Sequence, residues 1–168
     1  MKKSYVYLLT TFMLWGSLYV VSQFVLGKIP TFTVAMFRYL IAFIALSLIS
    51  LKSEKEKIEK SDYKYFFIMG FIGYFVSVDC QLLGTKIAGG SMASLINSLN
   101  PVIISVMTMI ILNEKLEMNK IAGIILSLFG VYMIIGTGAN IQFLGVLISF
   151  IAVIGWAFMS VISRKISN

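Results

Sequence analysis

The chain has 168 residues, of which 59% are hydrophobic and 12% charged, with a mean hydropathy of +0.94; an ordinary soluble domain is about 25% charged. So little polar surface cannot cover a water-soluble globule, and lipid is the expected solvent for most of the chain. The net charge is +7, with a single cysteine, Cys80, and no histidine, which excludes an internal disulfide and removes the commonest general base and metal ligand.

About 20 mostly apolar residues cross a bilayer. Six such spans are predicted: Tyr5–Leu26, Thr31–Leu51, Tyr65–Thr85, Ala88–Leu112, Ile121–Gly136 and Phe143–Ser163. The expected fold class is therefore all-α integral membrane. The third and fourth spans are joined so tightly that their division is placed at Lys86. The first apolar run is about 22 residues, too long for the apolar region of a signal peptide, so no cleavable signal is expected.

In the first span, Trp15 lies about 15 Å from the inner surface. That is too deep for the aromatic belt, which Tyr5, Tyr7, Tyr63 and Tyr65 suit better. Trp15 either packs on a neighbouring helix or lines a cavity, and Ser17, Tyr19, Ser22 and Gln23 give the same helix polar character. The second span carries Arg38, about 10 Å from its outer end, and the third carries Asp79 at about 9 Å. Three readings stand: Arg38 snorkels to the interface, it pairs with Asp79, or one of the two takes a direct substrate or proton role. Tyr74 would add an aromatic wall.

The fourth span contains "SLINSLNPVIISVMTMIILNEKL". Pro101 removes one helix bond and frees the carbonyl of Asn97. In lipid that carbonyl needs a neighbouring helix, a hydroxyl or water. The expectation is a kinked helix beside a water-accessible space, with Asn97 and Asn100 at the bend. Gly90, Ser94, Asn97, Pro101, Ser105 and Thr108 share one face, either a packing seam or a cavity wall. Gly89/Ala93 and Gly90/Ser94 allow close helix approach. Gly123, Ser127 and Gly130 on the fifth span read as packing positions, or as a contact surface between two units. Glu114 and Glu117 read as solvated charges, with an ion pair at the helix end as the other reading for Glu114.

Lys2, Lys3, Lys52, Lys55, Lys57, Lys60, Lys64, Lys115, Lys120, Arg164 and Lys165 fall on one side of the six spans, and only Lys28 and Lys86 on the other. The positive-inside rule then places both termini in the cytoplasm. It also accounts for the basic charge without nucleic acid as a partner. The mixed-charge segment "KSEKEKIEKSDYK" is a solvated loop, or a contact with anionic lipid.

"LWGSLYVVSQ" in the first span aligns with "GWAFMSVISR" in the sixth, pairing Trp15 with Trp156, Gly16 with Ala157, Val20 with Val161 and Ser22 with Ser163. An odd number of helices separates them, so the second copy runs in the opposite sense, the mark of an inverted-topology repeat.

With these motifs, "LWGSLYVVSQFVLGKIPTFTVAMFRYLIAFIAL", "GTKIAGGSMASLINSLNPVIISVMTMIILNEKL" and "KIAGIILSLFGVYMIIG" resemble the EamA family of the drug/metabolite transporter superfamily. Trp-Gly, Phe-Arg-Tyr, Asn-Pro and Asn-Glu-Lys are the most specific pieces. The resemblance implies two five-helix repeats that move small metabolites, often amino acids or drugs and often outward, by alternating access in the cell membrane. Residues 1–140 would be the first repeat and 141–168 the first helix of an incomplete second. Asp79 is not part of the family's pattern. The candidate cavity residues are Trp15, Tyr19, Gln23, Arg38, Tyr74, Asp79, Asn97, Asn100 and Pro101. No phosphate loop, metal cluster or nucleophile–base pair stands out, so neither enzymatic activity nor a cofactor is expected. The expected partners are the lipid bilayer, a small solute, and a complementary half or second copy. The alternative is an inactive fragment or accessory scaffold.

Overall fold

The computed structural model describes residues 2–51, 60, 62–114, 118–135 and 142–167. The segments 52–59, 115–117 and 136–141 lie outside the described residues, and with them the mixed-charge loop, Lys115, Glu117 and the turn before the last span. The described residues form six helices: α1 (Lys2–Leu26), α2 (Thr31–Ser50), α3 (Tyr63–Ala88), α4 (Gly90–Leu112), α5 (Met118–Ile135) and α6 (Phe143–Ser167). All except α5 are long and apolar enough to cross a membrane. The apolar stretch of α5, Met118–Met133, is shorter.

The apolar side chains point outward. Phe24, Phe43 and Leu126 are each about 70% exposed. In water that would be a fault; in hydrocarbon it is the required surface, while each helix satisfies its own backbone. Hydroxyls follow the same rule: Thr10 and Thr11 on α1 donate to the carbonyls of Val6 and Tyr7. This is an all-α integral membrane protein.

Helix α6 sits at the centre. Ala152, Val153, Ala157 and Val161 are all at most 5% exposed, and α6 packs mainly on α3 and α4. Lipid tails are as apolar as leucine, so helix association depends on close approach rather than on burial from water. The α3–α6 seam achieves it with small residues. A methyl added at Gly84 would collide with Ser149, at Gly155 with Ser77, and at Gly145 with the backbone of Ala88. On α4 the small-residue packing expected from the sequence is present at Gly90, which lies close against Tyr19 and Gln23 of α1. On α5, Gly123 and Gly130 face open space.

Three backbone features position the site. The first is the α3–α4 junction, a single residue, Gly89, at φ 85. Glycine enters this region without a Cβ clash. Helix α3 therefore runs past Lys86 to Ala88, with the Gly89 N–H still bonded to the Thr85 carbonyl at 3.0 Å. The second is a π-helical segment, Met69–Val76, inside α3. Such wider turns disturb the regular ladder and leave carbonyls seeking donors. Two hydroxyls supply them: Ser77 donates to Ile72 O and Tyr39 of α2 donates to Tyr74 O, each at 2.8 Å.

The third feature lies in α4, whose regular helix stops at Asn97 and resumes at Asn100. Pro101 falls in the first turn of the second piece, where its missing N–H does no harm. Asn100 Nδ2 donates to Asn97 Oδ1 across the break at 2.7 Å. At the far end, Asn113 adopts a left-handed φ of 54 as α4 stops. Beyond it Glu114 meets Arg164 of α6 in a two-pronged ion pair, at 2.8 and 3.3 Å.

Candidate functional site

Five helices contribute to one cavity. Trp15, Leu18 and Tyr19 come from α1, Arg38 from α2, Ser77, Val78 and Gln81 from α3, Asn97 from α4, and Ala152 and Trp156 from α6. Within α1, α3 and α6, residues four apart project together, because 3.6 residues make a turn: Trp15 with Tyr19, Ser77 with Gln81, Ala152 with Trp156. This inner part is narrow, about 40 Å³. It adjoins a wider hollow of about 540 Å³ that shares Trp15, Tyr19, Asn97 and Trp156 and adds Ser94, Asn100 and Pro101.

The walls are ordered by specific contacts. Trp15 and Trp156 meet edge to face with ring centroids 5.5 Å apart, and Tyr74 meets the same Trp156 edge to face at 5.8 Å. This geometry sets the positive edge of one ring on the negative face of the next. Gln81 Nε2 donates to the Tyr19 hydroxyl at 2.8 Å. The side-chain oxygen of Asn100 is buried without a partner, an acceptor left open. Arg38, an exposed residue, is among those lining the inner cavity, and among the described residues no carboxylate pairs with it. Aromatic walls, amides and one free cation suit a small amphiphile with a polar or anionic end. Among the described residues, no three His, Cys, Asp or Glu side chains gather in a set that would hold a metal ion.

The structure brings together Trp15, Tyr19, Arg38 and Asn97, with Asn100 and Pro101 in the adjoining hollow. Three other residues expected at the cavity stand elsewhere. Gln23 accepts the Gly90 N–H at 3.2 Å and fastens the start of α4 to α1. Tyr74 stands behind Trp156 as a supporting ring. Asp79 lines a different hollow, between α2 and α3, beside Tyr39. Of the three readings for Arg38 and Asp79, the ion pair is not formed. The reason is azimuth: at 3.6 residues per turn, Asp79 lies about 160° around α3 from Gln81. Similar depth brings two side chains together only when both face the same way.

Gln81, Ser77 and Trp156 line the cavity without having been singled out as site residues. For Gln81 the signal was a lone amide inside an apolar span. For Trp156 it was the repeat alignment, which had already paired it with Trp15. The polar stripe of α4 divides along its length. Gly90 packs against Tyr19 and Gln23 of α1. Ser94, Asn97 and Pro101 face the wide hollow. Ser105 and Thr108 line a separate pocket with Glu114, Lys120 and Arg164.

A model of the EamA-like transporter family matches residues 2–136. The chain is 28% identical over 172 residues to an uncharacterized transporter of Bacillus subtilis, YetK, covering 98% of this chain and 52% of that protein. It is 26% identical to an uncharacterized transporter of Clostridium kluyveri, covering 98% and 57% respectively. A second Bacillus subtilis transporter, YvbV, is 25% identical, with 90% and 50% covered. The chain thus spans about half the length of these curated relatives. No solved structure matches it. By the family match over most of its length, the chain belongs to the EamA-like transporter family.

Proposed function

We propose that the chain supplies one wall of a solute pathway in a transporter of the drug/metabolite type, acting by alternating access and not by catalysis. The observation that carries the reading is the tryptophan cavity with Arg38 in its wall and no carboxylate beside it. The solute is a small metabolite such as an amino acid or a drug, with an anionic or polar end toward Arg38 and an apolar body between Trp15 and Trp156. A complementary half or a second copy closes the wide hollow over Asn97 and Asn100. The protein lies in the cell membrane with both termini cytoplasmic, as the lysine distribution supports.

The coverage of about half of each relative favours one further reading: alone, the 168-residue chain is an inactive fragment or an accessory membrane protein. Flux assays on the purified chain in liposomes, across a panel of amino acids and amphiphilic drugs, separate the two. Solute-dependent flux that falls in Arg38→Gln and Trp156→Ala supports transport and removes the fragment reading. Flux unchanged in both variants would place the pathway elsewhere.

A further inference from the structure

The groove between α2 and α3 lies across α3 from the tryptophan cavity, and its contents do not match its walls. It holds about 570 Å³, walled by Phe32, Met36, Tyr39, Phe43 and Phe75, with Asp79 at its base. Asp79 is only 9% exposed, and neither of its carboxyl oxygens has a hydrogen-bond partner. The Tyr39 hydroxyl is committed to the Tyr74 carbonyl at 2.8 Å, and Arg38 lines the other cavity. A buried carboxylate in hydrocarbon is expensive unless a cation or donor meets it.

We propose that this groove is a second binding site, separate from the tryptophan cavity, for a lipophilic amine whose protonated nitrogen sits on Asp79. Charge complementarity selects the occupant. An acyl chain satisfies the walls but leaves both carboxyl oxygens bare. A metal ion finds one carboxylate and aromatic carbon where it needs several oxygens. A protonated amine brings N–H donors for a charge-assisted pair, the surrounding rings stabilise its charge, and its apolar body matches the walls. Access is lateral: Phe32, Met36 and Phe43 are each about two-thirds exposed, so an amine dissolved in the bilayer reaches the groove without crossing the central cavity. The site does not depend on the transport reading.

The test is equilibrium dialysis of tritiated 4-phenylbutylamine against the 168-residue chain in lipid nanodiscs, with empty nanodiscs subtracted. Saturable binding is expected for the amine and none for 4-phenylbutanol or 4-phenylbutyrate, which share its ring and chain. Asp79→Asn keeps the shape, removes the charge and is expected to weaken binding about tenfold or more. Phe43→Ala, on the lipid-facing wall, weakens it independently should Asp79→Asn fail to fold. Occupation leaves tryptophan emission unchanged, since both tryptophans line the other cavity. Absence of saturable amine binding, equal binding of the alcohol, undiminished binding in the variants, or quenching of tryptophan by the amine would each overturn the proposal.

Discussion

Trp15 on α1 and Trp156 on α6 meet edge to face, 5.5 Å between ring centroids, at 72°. They are the same two residues that the alignment of the first span with the sixth pairs. Both rings line the inner cavity and the wider hollow beside it. In a double-mutant cycle with Trp15→Leu and Trp156→Leu, the coupling is expected at about 0.5–1.5 kcal/mol, measured by reversible unfolding in mixed micelles. Zero coupling would mean the rings touch without interacting.

These two are the only tryptophans in the chain. A solute entering the cavity is therefore expected to shift or quench intrinsic tryptophan emission with no added label, and Arg38→Gln is expected to weaken that response for anionic solutes more than for neutral ones. Fluorescence titration of the two solute classes checks it.

Tyr39→Phe removes the hydroxyl that serves the Tyr74 carbonyl in the π-helical segment. Interhelical hydrogen bonds in membranes average about 0.6 kcal/mol and reach about 1.7. The upper part of that range is expected here, because a π-helical turn leaves its carbonyls without regular partners. Unfolding of the variant beside the wild type gives the value.

Gly89→Ala places a Cβ at φ 85, ψ 155, a region open essentially to glycine alone, and is expected to destabilise the α3–α4 junction by about 1–3 kcal/mol. Nothing stands within 4 Å of the added atom, so the effect is backbone strain alone. Gly89→Asn is expected to lose about as much, since the tolerance of Asn is for the left-handed helical well and not for ψ 155. A clearly smaller loss in either variant would point to a junction that relaxes its backbone.

Pro101→Ala acts at a first-turn position, where the substitution is cheap for folding. Its expected effect is to let regular helix extend through Ser98 and Leu99, moving Asn97 and Asn100 against each other and altering solute flux in the complete protein more than stability. Flux and unfolding measured on the same variant test this. A stability loss with no separate change in flux would contradict it.

The helices were legible because an apolar run of bilayer length has few other meanings. Their ends were less so. Lys86 looked like a boundary because it is charged, whereas the chain turns at Gly89, where the backbone needs glycine. The π-helical segment left no compositional mark, since a shift in hydrogen-bond register changes no residue type. At the site, Trp15, Arg38 and Asn97 could be read as aromatic or polar residues at depth in apolar helices. Pairing of Arg38 with Asp79, one of three open readings, is not realised, because depth fixes one coordinate and azimuth another. The α3–α6 seam was missed because Gly84 and Ser149 are unremarkable until the two helices are set side by side.

Helix α6 is the last of the six described helices, yet it packs against both α3 and α4 and is the most buried of the membrane-length helices. During synthesis, α3 and α4 enter the bilayer before the helix that covers them exists. Their small-residue seam then faces lipid, where Gly84 and Gly73 offer little to pack against. The first five helices are thus expected to remain loosely associated until Trp156 and Ala157 arrive. The bundle is thus expected to assemble around its last helix rather than its first.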